Sequence, residues 1–366
     1  MDKLIFTPGP LTTSRSVKEA MLRDLGSRDT EFIGVIADIR KKLLEIIGLK
    51  AGAYTTVLLP GSGTYGVEAV LSSVTPPNGK WLVIINGEYG RRIAAILRAH
   101  HIEHTALSYH ENELPDLKEI EGTLQKDPAI THIAIVHCET SSGILNDITS
   151  VGELARDYGK VFFIDAMSSF GAIPIDVEKA NIDFLVSSSN KCLESVPGCS
   201  FVIANSEKLE KTQGYARTLS LDLYAQWKNF ESSGEFRFTP PIQVLLALHQ
   251  ALTELLSAGG SAARYKRYEE NQRYLSEEMS RLGFTPYLPS HLQSCIITSF
   301  YYPTHFSFDF VRFYQALSQL GFLIYPGKLI KEDCFRIGSI GSISKKEVRL
   351  LLDAITRVLS GIEGAL

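Results

Sequence analysis

Short apolar runs recur along the first two hundred residues, separated mostly by segments of helical length. Residues 56–59, 81–85, 130–136, 161–164, 184–186 and 201–204 are rich in Val, Ile, Leu and Phe and do not alternate with polar positions. That pattern predicts strands covered on both faces. Between them, residues 88–99 and 151–158 have helical spacing, and Phe32, Val35, Ile36, Ile39, Leu43, Ile46 and Ile47 mark one face of a long helix that Gly48 ends. Such βα alternation predicts an α/β fold with a mainly parallel sheet between helix layers. After Pro240 and Pro241 a helix is expected through Leu245, Leu246, Leu248 and Leu252 to Leu256, interrupted at Gly259 and Gly260. The remainder reads as helix, strands near 294–300 and 322–325, and a final helix over 345–359, forming a smaller α+β domain. The expected division is an N-terminal segment 1–15 near the active site, a large domain 16–258 and a small C-terminal domain 259–366.

Composition narrows the class. A chain of 366 residues with 45% hydrophobic content buries a large core and divides into two lobes. The formal charge of -4 gives no basic footprint for nucleic acid or an anionic membrane. No apolar run approaches membrane-spanning length, and the opening residues lack the pattern of a signal peptide. Cys138, Cys192, Cys199, Cys295 and Cys334 are odd in number, scattered and never in a CxxC pair, so neither a zinc site nor a disulfide scaffold is expected. A reducing, cytoplasmic compartment follows from that usage.

Two charged residues stand where such a sheet collects ligands. Asp165 ends the run 161–164, and an acid at the carboxyl end of a buried strand points into the crevice outside the sheet. Taken alone, it is as compatible with a helix cap or an ion pair. Lys191 lies 26 positions later, after the run 184–186 and the small polar residues Ser187, Ser188, Ser189 and Asn190. Most lysines are solvated surface charges, yet these four neighbours pack poorly and hydrogen-bond well. The pairing suggests a lysine that holds an aldehyde cofactor and an acid that keeps the cofactor's ring nitrogen protonated.

Upstream, Gly61-Ser62-Gly63-Thr64-Tyr65-Gly66 matches GxGxxG, with Glu88 just past the next strand, which is formally a dinucleotide fingerprint. Pro60 closes the strand directly before it, and a long helix precedes a motif that usually opens its domain. Both features argue against a nicotinamide or flavin enzyme. Glycines with Ser62 and Thr64 at a helix N-terminus still offer N–H groups, hydroxyls and a positive dipole end to a phosphate; the plain alternative is a glycine turn capped by Thr64. A phosphate cradle, an acid at a strand end and a lysine after the next strand combine most economically as a site for pyridoxal 5'-phosphate.

Four segments in order, Gly61-Ser62-Gly63-Thr64, Glu139-Thr140-Ser141-Ser142-Gly143, Asp165-Ala166-Met167-Ser168-Ser169-Phe170-Gly171 and Ser189-Asn190-Lys191, resemble the class V aminotransferases of pyridoxal phosphate (PLP) fold type I. The resemblance covers nearly the whole chain. It implies the PLP-dependent transferase fold type I, with Lys191 linked to the cofactor aldehyde and Asp165 hydrogen-bonded to the pyridine nitrogen. Ser62, Gly63 and Thr64 are then expected at the phosphate, with Ser188 adding a hydroxyl, Tyr89 stacked on the ring and Thr140 near its phenolic oxygen. Thr239, in Phe236-Arg237-Phe238-Thr239-Pro240-Pro241, matches a segment in which a threonine reaches the phosphate of the neighbouring subunit, which implies a homodimer with shared sites. Phe236 stands where relatives often place a tyrosine, so a hydroxyl contact is lost there. Arg336 is the implied clamp for the substrate anion, because a guanidinium grips carboxylate or phosphonate oxygens in pairs. Gly9, Ser14 and residues 26–29 are expected to line the same pocket.

Within the family, Phe6-Thr7-Pro8-Gly9-Pro10-Leu11-Thr12-Thr13-Ser14, Gly26-Ser27-Arg28-Asp29 and residues 62–69 are similar to the branch that passes an amine from 2-aminoethylphosphonate to pyruvate. The partners so implied are an amino donor and a 2-oxo acid acceptor. The alanine:glyoxylate and serine:pyruvate branches are the alternatives. A cysteine desulfurase would need a mobile nucleophilic cysteine, for which Cys334, in an expected late loop, is the candidate; a PLP-retaining protein without turnover is the non-enzymatic alternative.

Overall fold

The computed structural model of the chain describes residues 2–304, 308–325 and 333–363. The apolar runs form one seven-stranded sheet from β1 (Tyr54–Pro60), β2 (Lys80–Ile85), β3 (Glu103–Ser108), β4 (His132–Val136), β5 (Val161–Asp165), β6 (Phe184–Ser188) and β7 (Cys199–Asn205). Their spatial order is β1-β7-β6-β5-β4-β2-β3. β3, β2, β4, β5 and β6 pair in parallel, whereas β7 runs antiparallel to both of its neighbours, β6 and β1. β4 and β6 are buried along their whole length, which is why their sequences show no alternation. β1 and β3 are the two edge strands; β1 is buried up to Pro60, whereas along β3 exposed and partly buried positions mix.

Crossover helices follow the strands, as parallel pairing requires. Gly63–Val74 follows β1, Glu88–Ala99 follows β2 and Leu117–Lys126 follows β3. The long helix Thr30–Ile46 begins where the Asp29 carboxylate accepts from Glu31 N–H at 2.7 Å, and it packs against Ile242–Ser257. Because every strand of the parallel set points the same way, the turns after β1, β2, β4, β5 and β6 gather at one edge of the sheet.

A second apolar cluster joins Phe284, Phe300, Phe313 and Phe335 to residues of the helices Gly260–Arg281, Phe310–Gln319 and Lys345–Glu363. Its strands Ile297–Tyr301 and Cys334–Gly338 are antiparallel. The chain's start belongs here too: Leu4–Phe6 pairs in parallel with Phe322–Ile324, and Phe6 is fully buried in this cluster. Residues 7–12 then cross from the second core to the edge of the large sheet. Gly338 permits that crossing, since a Cβ there would lie 2.5 Å from the Thr7 backbone. Among the described residues no helix is long and apolar enough to cross a membrane.

Candidate active site

The gathered turns enclose one crevice. Ser62, Gly63 and Thr64 enter from the turn after β1, and Tyr89 and Arg92 from the start of the helix Glu88–Ala99. Val136 and Cys138 come from the end of β4, Asp165, Met167 and Ser168 from β5, and Ser188, Asn190 and Lys191 from β6. The sequence therefore brings Lys191 and Asp165 to the same cavity as the glycine turn, from strand ends that are adjacent in the sheet.

Burial shapes the charges in this crevice. Asp165 is 4% exposed, and desolvation pushes its carboxyl up to about 6, opposed by the Met167 N–H, which donates to it at 2.8 Å, and by the nearby Arg92 and Lys191. Burial likewise lowers Lys191 to about 8, against the stabilising charge of Asp165. The Lys191 ammonium donates to the Pro8 carbonyl at 2.7 Å. An amine reacts with an aldehyde only when neutral, so the rate of cofactor capture by the unloaded protein is expected to rise with pH through about 8 and then level off. A solvated lysine would keep gaining up to roughly pH 10.4. Following the visible band after addition of pyridoxal phosphate across this pH range checks the difference.

Gly9 touches the lysine directly. Its φ is +110°, and a Cβ there would lie 2.6 Å from both the Asn190 carbonyl oxygen and Lys191 Cδ. Gly9→Ala is therefore expected to displace Lys191 and to lower activity about 100-fold or more, the scale of loss for an ångström-sized misplacement of a reacting group. Wild-type rates in that variant would mean that the crossing segment yields without moving the lysine.

The first turn of Gly63–Val74 has the donors of a phosphate site. Ser62 is the N-cap residue, yet its hydroxyl makes no capping hydrogen bond, so it is available beside the Gly63 and Thr64 N–H groups. A side chain at position 63 would run into the end of the Met167 side chain, which would have to move aside. Arg336 is not among the residues lining this crevice but stands near Tyr89, which is; it is 8% exposed, donates through Nη1 to the Thr140 carbonyl at 2.8 Å and lies 4.5 Å from the Tyr325 ring. Burial lowers its pKa, with Tyr89, Tyr325 and Glu111 opposing the shift. Among the described residues its Nε has no hydrogen-bond partner, an orphan donor of the kind a ligand anion satisfies.

With this geometry in place, comparison with known proteins decides the family. The family model for class-V aminotransferases matches residues 13–317. The chain belongs to the class-V aminotransferase family. A 2-aminoethylphosphonate–pyruvate transaminase of Bacillus cereus is 49% identical over 355 residues, which is 97% of this chain and 97% of that protein. One from Vibrio cholerae is 49% identical over 358 residues, again 97% of each chain. Among solved structures, an alanine–glyoxylate aminotransferase from Nostoc sp. superposes with a TM-score of 0.90 at 25% identity, covering 98% of this chain and 96% of that one. A pyridoxamine-pyruvate aminotransferase from Mesorhizobium loti shares the fold, with a TM-score of 0.89 at 23% identity over 99% and 93% of the two chains.

An aminotransferase of this family uses pyridoxal 5'-phosphate, and the crevice fits it: a helix N-terminus with an unengaged serine for the phosphate, a buried acid at a strand end, and an amine whose pKa is lowered. Tyr89 and Thr140 stand together. Burial raises the Tyr89 phenol and the adjacent Thr140 side chain opposes that rise, although Thr140 lies behind the crevice rather than in its lining. Ser188 is buried in the lining. Thr239 is exposed and outside this crevice, in a separate groove with Tyr65 and Phe238.

Three expectations change. Ser14 does not line the crevice, because its hydroxyl caps the helix Arg15–Glu19 by accepting from Val17 N–H at 3.2 Å and donates to Glu254 at 3.1 Å. In the segment 26–29, Asp29 serves as the cap of Thr30–Ile46. Cys334 lies not in a loop but in the strand Cys334–Gly338, 1% exposed and paired with Tyr301, a poor position for a mobile nucleophile.

Two residues have roles that the sequence did not show. Arg92 donates to Thr64 Oγ1 at 3.4 Å, with its guanidinium 4.8 Å from the Tyr89 ring; its spacing of three from Tyr89 on one helix was the available signal. Glu139 is fully buried and accepts from Gly90 N–H at 2.7 Å and Tyr89 N–H at 3.3 Å, pinning the start of the helix that presents Tyr89. Burial raises its carboxyl to about 7, against those two hydrogen bonds.

Proposed function

We propose that this protein transfers an amine from 2-aminoethylphosphonate to pyruvate, giving phosphonoacetaldehyde and alanine, as a homodimer. The observation that carries the substrate assignment is the 49% identity, over 97% of both chains, to transaminases named for that pair. Arg336 supplies the matching chemistry. 2-Aminoethylphosphonate has no carboxylate on its reacting carbon, so its distal phosphonate must provide the orientation, and a planar guanidinium can hold two oxygens of either a phosphonate or a carboxylate.

Pyridoxal phosphate, when bound, supplies an aldehyde and a ring that accepts the electron pair left by breaking a substrate C–H bond. Ser62, Gly63 and Thr64 would hold the phosphate at the positive end of their helix, and Ser188 would add a hydroxyl. Asp165 would keep a proton on the pyridine nitrogen, since a carboxylate beside that nitrogen favours its charged form. Tyr89 would cover the ring and Thr140, beside the Tyr89 phenol, would help to orient it. Lys191 would hold the aldehyde carbon in the resting protein and, once released as a free amine, would be placed to carry the proton taken from the substrate carbon. Arg336, with Gly9 at the lysine stem, fixes the substrate's far end while this happens.

Support for the dimer comes from Thr239, which stands at the surface in a groove shared with Tyr65 and Phe238, 54% and 48% exposed. A second copy seated there would cover this apolar face and bring Thr239 to its neighbour's phosphate. The five cysteines, all buried, support a reducing, cytoplasmic compartment. The substrate assignment is tested by loading the protein with cofactor and comparing half-reactions with 2-aminoethylphosphonate, alanine and serine through loss of the visible band. The phosphonate is expected to react fastest and pyruvate to restore the band; faster turnover of alanine with glyoxylate would move the assignment to that pair.

A further inference from the structure

A buried ionic cluster lies outside the crevice and is not used by the chemistry above. Its centre is Glu194, 6% exposed, in the turn that begins at Lys191, where Glu194 N–H donates to the Lys191 carbonyl at 2.9 Å. Arg264, Arg267 and Tyr268 converge on it from the helix Gly260–Arg281, at spacings that place them on one face. Arg264 Nη2 lies 3.4 Å from Glu194 Oε2, and Arg264 Nη1 donates to the Cys192 carbonyl at 2.7 Å. Arg267 and the fully buried Tyr268 hydroxyl both donate to Glu194 Oε1. The same Tyr268 oxygen accepts from Gly341 N–H at 3.2 Å, in the loop that leaves the strand of Arg336. Asn271, one turn further along the helix, holds that loop again through the Ser339 and Ile343 carbonyls at 3.3 and 3.2 Å.

Two features separate this cluster from ordinary core packing. Its ends attach to the turn that carries Lys191 and to the loop that follows Arg336, the two residues that must act on one substrate at once. And Glu194 sits at φ +60°, in the left-handed region where glycine is the easy choice, so its backbone is held against preference while its carboxylate is delivered to this place.

We propose that Glu194 is a positioning residue: through Tyr268 it fixes the Lys191 turn to the loop beyond Arg336, and so sets the span between the reacting amine and the guanidinium that grips the substrate anion. The span selects donors by the distance from amine-bearing carbon to anion, favouring the two-carbon phosphonate over longer homologues. This rests on the amine-transfer reading above and on Arg336 as the anion clamp.

The test uses full-length, cofactor-loaded protein carrying Tyr268→Phe, Glu194→Gly or Glu194→Gln. Three quantities are read: the ratio of kcat/KM for 2-aminoethylphosphonate over 3-aminopropylphosphonate, the pH midpoint of the cofactor's visible band, and the thermal midpoint. Tyr268→Phe keeps the ring in the core and removes only the bridging hydroxyl. It is expected to raise KM for the short donor about ten-fold, as loss of a charge-assisted hydrogen bond does, and to shrink the ratio while leaving the band midpoint in place. Glu194→Gly suits the backbone but releases both ends, so it is expected to move the ratio and the band midpoint together, with Glu194→Gln restoring part of each. A fall in thermal midpoint with the ratio and band midpoint both at wild-type values would reduce the cluster to packing and overturn the proposal. A wild-type protein that ignores phosphonate donors would refute the substrate assignment instead, while the band midpoint of Glu194→Gly still decides whether the cluster positions Lys191.

Discussion

Lys191→Ala is expected to abolish amine transfer while leaving the protein folded. On the proposed reading Lys191 holds the cofactor aldehyde and moves the proton between two carbons, and general acid–base catalysis by one positioned group contributes up to about 10^4-fold. With the covalent attachment also gone, the loss should be at least that large. Stability should barely change, because the side chain's polar contact is a single hydrogen bond to the Pro8 carbonyl, and its removal relieves the burial that lowers the amine's pKa. The checks are a turnover assay, a thermal melt, and dialysis of loaded protein, from which the variant should lose cofactor faster than wild type. Activity retained at more than about a tenth of wild type would be incompatible with a proton carrier at this position.

Arg336→Ala is expected to have the second largest effect, and of a different kind. The guanidinium is buried, held on one side by the Thr140 carbonyl and the Tyr325 ring, with Nε left for a ligand among the described residues. On the proposed reading its removal leaves the substrate anion without its partner, a loss of about 2–5 kcal/mol for a buried charge pair. KM for both phosphonate donor and pyruvate should therefore rise roughly 100-fold or more, with a smaller change in kcat. Arg336→Lys should recover little, since an ammonium cannot present two parallel donors. Equal losses in kcat with KM unmoved would show that Arg336 acts elsewhere than on the anion.

The parts of this site that are legible in sequence are those fixed by local pattern. β4, β5 and β6 read as unbroken apolar runs because both faces are covered, and a charged or small polar residue at the end of such a run, as at Asp165 or Ser188, must sit at the rim of the sheet. The glycine turn declared a helix start for the same reason. What stayed hidden depends on contacts between distant segments. Nothing local says that Leu4–Phe6 pairs with Phe322–Ile324, or that this pairing brings Gly9 against Lys191. Ser14 looked like a pocket residue, although a serine before a short helix is equally a cap, and the cap prevailed. Nothing local marks Glu194, whose partners Arg264, Arg267 and Tyr268 come from about seventy residues further along the chain.

The central claim is that Lys191, at the rim beyond β6, is the residue that carries the cofactor. The most direct measurement is borohydride reduction of the loaded protein, followed by digestion and peptide mass analysis. One pyridoxyl mass increment is expected, on the peptide containing Lys191, and none in Lys191→Ala treated in parallel. A fully loaded sample whose adduct maps to another lysine, or to none, would contradict the account of this site.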